Sequence, residues 1–179
     1  QQLMEENKGQ IAAVIMEPIR NDYPQDGFLT EIRRMTAEEK IPLIFDEISS
    51  GFRMCCGGSH MVLGVEPDVA VFAKAMTNGY PIAAVIGRKG IMTAAQDTFI
   101  SSTFWTERVA LAAAVKSIQE YREHNVAEHL MCIGKRVQEG WVRQAEAAGL
   151  RIHVGGIYPL SHFDFENDQP LECKTYFTQ

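Results

Sequence analysis

The chain has 179 residues, 46% of them hydrophobic and 22% charged, which is enough for an ordinary domain with a sizeable core. Its 17 basic and 23 acidic residues leave a net charge of −6, so composition gives no support to nucleic acid or an anionic membrane as partner. No apolar run approaches a bilayer span, and the polar opening QQLMEENKGQ does not read as a signal peptide.

IAAVIMEP (11–18) is an apolar, β-branched run stopped by Pro18, and it predicts a buried strand. DGFLTEIRRMTAEEK (26–40) spaces Phe28, Leu29, Ile32 and Met35 as the face of an amphipathic helix. IPLIFDE (41–47) predicts a second buried strand, ending on Asp46 and Glu47. Residues 49–66 read as a long glycine-containing loop, with Arg53 and the Gly57-Gly58 pair as loop structure. PDVAVFAKA (67–75) predicts a third strand leading to Lys74, NGYP (78–81) a turn, and IAAVIG (82–87) a fourth strand. Continuous apolar strands alternating with helices favour an α/β fold with a parallel sheet.

Two helices follow, over 107–122 and about 125–148, and then RIHVGG and PLSHFDFE, which suggest the strands of a smaller α+β unit. The boundary falls near 122–126, giving units of 1–123 and 124–179. Cys55, Cys56, Cys132 and Cys173 have neither metal-ligand nor disulfide-framework spacing and are expected to be reduced, in a cytoplasmic protein. His124 and His129 lie five apart on a predicted helix, off one face. The chain begins close to a strand, without Met, and is expected to be a piece of a longer protein.

In open parallel sheets, ligands bind outside the carboxyl ends of the strands. Asp46 and Lys74 end two strands there, and the Ser101-Ser102-Thr103 run precedes a helix whose free N–H groups favour an anion. A lysine in the apolar setting VFAKA can attack an aldehyde, because desolvation disfavours its ammonium form. A carboxylate can hold a pyridine nitrogen protonated, and a hydroxyl at a helix start can bind phosphate. Together these are the protein-side needs of pyridoxal phosphate. Each also has a plainer reading, as a cap, a solvated lysine or an N-cap cluster.

DEISSGFR, EPDVAVFAKAMTNGYPIAAVIG and STFWTERVALAAA occur in an order that resembles the class III (subgroup II) pyridoxal-phosphate aminotransferases, in particular their glutamate-1-semialdehyde aminomutase-like branch. The resemblance covers roughly 11–122. It implies part of the parallel-sheet large domain of a fold-type I enzyme, followed by the start of a small domain. It implies that Lys74 is the Schiff-base and proton-shuttling lysine, that Asp46 faces the pyridine nitrogen, and that Ile48 packs on the ring. It further implies that Thr103 binds cofactor phosphate, usually that of a neighbouring subunit in a homodimer with shared active sites. Glu17 matches a strand-end acid near the cofactor. Strand alternation turns Glu47 away from Asp46, toward a structural hydrogen-bonding role. Phe104 and Trp105 fit either a site lining or the core. The family's upstream phosphate-binding turn and ring-stacking aromatic are not found, nor is the arginine that binds substrate carboxylate. STFWTE departs from the GT-x-x-GNP-like run of the aminomutases and favours a transaminase acting on small-molecule amino donors and acceptors, an amino sugar or a small amino acid among them.

PLIFDE also fits a Walker B strand, with Asp46 holding Mg²⁺ and Glu47 activating water. That reading needs a G-x-x-x-x-G-K-[ST] loop, and Gly134-Lys135, followed by Arg136 and with His129 at the first glycine position, does not supply one. A phospho-acceptor receiver would need an earlier acidic pair, where only Glu17 stands. A non-catalytic dimerisation unit is the remaining alternative.

Overall fold

The apolar runs fold in the expected order, with short helices added. The computed structural model describes residues 2–105 and 107–179. Its elements are α1 (Gln2–Glu6), β1 (Val14–Met16), α2 (Phe28–Glu38), β2 (Leu43–Asp46), α3 (His60–Leu63), β3 (Val69–Phe72), β4 (Ala84–Gly87), α4 (Lys89–Ala94), α5 (Arg108–Glu123), α6 (Val126–Ala147), β5 (Ile152–Gly155), β6 (His162–Phe165) and α7 (Pro170–Thr178). Helices α1, α3, α4 and α7 are absent from the expectation. The first three are one or two turns long, and α7 has no one-sided apolar pattern to announce it.

The first sheet runs β1-β2-β3-β4. The first three strands are parallel, with Met16 opposite Phe45 and Phe45 opposite Ala70. The fourth departs from the expected parallel sheet: β4 runs antiparallel to β3, with Phe72 opposite Ala84. The link through 73–83 is too short for the crossover that a parallel neighbour needs.

Strand alternation puts Leu43, Phe45, Ala70 and Phe72 on one face, all buried. Leu29 and Ile32 of α2, with Leu63 and Val65, pack on Leu43 and Phe45. Met76, Phe52 and Ile118 of α5 pack on Ala70 and Phe72. The opposite face is more open, with Ile15 65% and Val85 53% exposed. At the amino edge, Asp68 ties the layers together. Its carboxylate accepts from the Leu43 backbone N–H (2.9 Å) and pairs with Arg33 of α2 (2.7 Å) and Arg88 after β4 (3.0 Å). Burial alone would raise this carboxyl, but the Leu43 N–H and the two guanidinium groups hold it below the usual carboxylate range.

Strands β5 and β6 form a separate antiparallel pair. Phe163 meets Trp141 of α6 (5.1 Å between ring centroids) and Phe177 of α7 (5.3 Å), so both helices cover one face of the pair. Between the two sheets, α5 ends at Glu123 and α6 begins at Val126. This break separates the two histidines expected on one helix. His124 caps α5 and meets Glu120 (3.1 Å), whereas His129 lies on α6.

Gly134 lets α6 approach the turn at 158–160, where a Cβ would collide with the Tyr158 carbonyl. Gly134→Ala should therefore destabilise the chain by about 1–3 kcal/mol despite alanine's better helix propensity. Gly140→Ala in the same helix, where the nearest atom is 3.9 Å away, should stabilise it. Urea midpoints moving the same way in both variants would contradict this packing.

Candidate functional site

The carboxyl ends of β1, β2 and β3 bring together three of the expected residues. Glu17 follows β1, Asp46 ends β2, and Lys74 lies two residues past β3. Because Met16 and Phe45 are paired neighbours, Glu17 and Asp46 lie on adjacent strand ends. The pleat then separates the acids of the Asp46-Glu47 pair. Asp46 takes the open face and Glu47 the packed one.

Glu47 is 0% exposed. Its Oε2 accepts from Ser50 Oγ (2.6 Å), Ser59 N (2.9 Å) and Ser59 Oγ (2.8 Å). Its Oε1 accepts from His60 N (2.9 Å) and lies 2.8 Å from His60 Nδ1. Burial would push this carboxyl up, but the His60 ring, the Ser50 hydroxyl and the backbone N–H groups of His60 and Ser59 outweigh it and hold it at about 2. Glu47 thus has the structural role that strand alternation suggested. With no solvent exposure and its oxygens occupied, it cannot activate a water, which removes the Walker B reading. The acid also locks the 47–60 turn onto the end of β2.

That turn carries Ile48 and Ser49. The Ile48 N–H donates to Asp46 Oδ1 (3.0 Å), which orients the carboxylate at the strand tip. Lys74 Nζ donates to Ser49 Oγ (2.7 Å). The amine and the carboxylate are therefore tied to one rigid turn, although they are far apart in sequence. The lysine does not sit in the apolar setting expected of VFAKA. The strand ends at Phe72, and Lys74 turns out of it with a left-handed φ of 43°, leaving the residue exposed. Glu17 Oε1 pairs with Arg20 (3.0 Å), while its buried Oε2 has no hydrogen-bond partner among the described residues.

Thr103 stands apart from this group. It is exposed in a turn, and among the described residues no hydrogen bond joins it to the others. The expected anion site at the start of α5 is already filled, because Glu107 caps the helix and accepts from Val109 N (2.6 Å) and Ala110 N (2.8 Å). Phe104 and Trp105 are 60% and 65% exposed and do not belong to the core. Thr106 of the STFWTE run lies outside the described residues.

The family model for class-III aminotransferases matches residues 1–172, beyond the 11–122 span of the sequence motifs. The chain belongs to the class III aminotransferases. A 3-aminobutyryl-CoA aminotransferase of Cloacimonas acidaminovorans is 32% identical over 99% of this chain and 45% of its own length. A glutamate-1-semialdehyde 2,1-aminomutase of Acetivibrio thermocellus is 35% identical over 77% of the chain and 34% of its own length. The FumI protein of Sphingopyxis sp. MTA144, solved in its PLP internal aldimine form, superposes with a TM-score of 0.88 at 30% identity, over 93% of this chain and 42% of that one. This class III chain therefore spans less than half the length of the relatives it matches, and its fold is that of the fold-type I transaminases.

Three residues of the site escaped sequence reasoning. Ser49 is one of two adjacent serines with no pattern to separate them. His60 and Ser59 reach Glu47 from more than ten residues away, across a stretch that reads as loop.

Proposed function

We propose that this chain carries the lysine- and carboxylate-bearing part of a pyridoxal-phosphate-dependent aminotransferase site. The observation that carries the reading is the joining of Lys74 and Asp46, at neighbouring strand ends, through the single turn 46–49. The donor set fits the cofactor. An amine suits its aldehyde, a carboxylate suits its pyridine nitrogen, and the unpartnered buried oxygen of Glu17 invites a donor in the same place.

When bound, pyridoxal phosphate supplies an electrophilic carbon and a protonated ring that draws electrons from the substrate α-carbon. Lys74 would supply the amine that meets that carbon and would carry a proton to and from the substrate α-carbon. Asp46 holds the proton on the ring nitrogen, and Ile48 packs on the ring. Thr103, exposed on its turn, binds phosphate across a homodimer interface in which Phe104 and Trp105 are also available for burial. Glu17 closes the strand-end side. The chain divides into a large-domain part (1–123) and the beginning of a small domain (124–179), each with its own sheet. A small-molecule amino donor and acceptor are the substrates, and the cytoplasm is the location, in keeping with four free cysteines. Rearrangement within one substrate is the second reading, favoured by the aminomutase relative. The departure of STFWTE from the aminomutase run favours transfer between two substrates.

The test uses the longest natural form of the chain. Pyridoxal phosphate is added, the mixture is reduced with borohydride, and adducts are mapped by peptide mass. One adduct on Lys74, missing in Lys74→Ala, is expected. Scattered labelling that ignores Lys74→Ala would sink the assignment.

A further inference from the structure

We propose that Ser49 is a positioning residue for the Lys74 amine, holding it in the orientation from which it reacts. The inference rests on the proposed role of Lys74 and adds a second residue to it.

Lysine carries its nitrogen on a flexible four-carbon stem, and an untethered amine samples many rotamers. In this structure the amine is tethered, with Nζ 2.7 Å from Ser49 Oγ. An N–H of Lys74 donates and the serine oxygen accepts, so the nitrogen lone pair of the neutral amine is not used by the contact. The tether fixes where the nitrogen sits and leaves the lone pair free to attack.

A tether positions only if its own anchor is rigid. Ser49 is held from three sides. Its backbone carbonyl accepts from Arg53 Nε (3.3 Å). Its neighbour Ser50 donates to the buried Glu47 carboxylate (2.6 Å), which also holds Ser59 and His60. Two residues before Ser49 the chain enters the turn from β2, where the Ile48 N–H is bonded to Asp46. Lys74 is fixed from its own side by the short 3-10 turn Lys74–Met76, whose first residue holds the left-handed φ. Two stiff backbone segments thus meet at one hydroxyl–amine contact. The same turn that presents the Asp46 carboxylate also sets the position of the amine, so the distance between the two reacting groups is controlled by residues 46–49.

The experiment follows the rate at which Lys74 acquires the borohydride-trapped pyridoxal phosphate adduct, in the longest natural form of the chain, for the wild type, Ser49→Ala and Ser49→Thr. Ser49→Ala is expected to slow adduct formation by about fivefold to tenfold, the effect of one lost hydrogen bond to an ionisable group. The final adduct should still map to Lys74, and the thermal midpoint should stay at the wild-type value, because the hydroxyl is not used elsewhere in the turn. Ser49→Thr, which keeps the hydroxyl, should recover most of the rate. An unchanged rate in Ser49→Ala, or an equal slowing in Ser49→Thr, overturns the positioning role while leaving the role of Lys74 intact. A wild type that forms no adduct on Lys74 overturns both. The rate ratio and the mapped site therefore report separately on the two claims.

Discussion

Glu47→Ala is expected to cost about 3–5 kcal/mol of stability, the scale of a broken buried charge network. The substitution removes an acceptor from the Ser50 and Ser59 hydroxyls, two backbone N–H groups and the His60 ring, all in a buried place. Each donor left without a partner carries its own desolvation cost. For a chain of this length the loss corresponds to a drop of about 10 °C in the unfolding midpoint. The same carboxylate makes stability depend on acid. Its folded value lies near 2 and its ordinary value is 4.5, so its contribution is complete above pH 4.5 and is lost as pH falls toward 2. Urea unfolding of wild type and Glu47→Ala should show a wide gap at pH 7 that narrows by pH 3. An equal gap at both values would mean that the charge of Glu47 contributes nothing and only its volume matters.

On the role proposed for Asp46, Asp46→Asn in the longest natural form of the chain should leave the fold nearly untouched and cut turnover by about a hundredfold to a thousandfold, the range found when one preorganised electrostatic partner is removed. Asparagine keeps an oxygen that can accept from the Ile48 N–H, so the turn is preserved. What disappears is the negative charge that would hold a proton on the pyridine nitrogen. The measurement pairs the cofactor's absorbance, to show that the variant still loads, with turnover on any amine–carbonyl pair that the wild type accepts. A loaded Asp46→Asn variant with wild-type turnover would place the ring nitrogen elsewhere and reassign Asp46 as a turn residue.

The contrast between these neighbouring acids was legible in the sequence. A run of apolar residues ending in Asp-Glu needs only strand alternation to send one acid to each face, and the structure places Glu47 among donors on the packed side. Lys74 was legible as a strand-end residue, because VAVF must be buried and the chain must leave the sheet after it. What remained hidden depends on geometry that periodicity does not carry. Strands read the same in both directions, so the antiparallel course of β4 showed only in the short link around NGYP. The serine–threonine run at 101–103 was the one capping cluster read before α5, whereas the acid adjacent to the helix, Glu107, takes the cap. The exposure of Lys74 followed from a backbone reversal at a single residue. The pairing of His60 with Glu47 is a tertiary contact across a loop, with no local signature.

The left-handed backbone at Lys74 has an energetic cost. A side chain at φ 43° is strained by roughly 1 kcal/mol or more relative to glycine. Judged by folding alone, glycine would be the better occupant of position 74. On the role proposed for Lys74, its amine would be kept at that backbone cost, so this position would trade durability for reactivity.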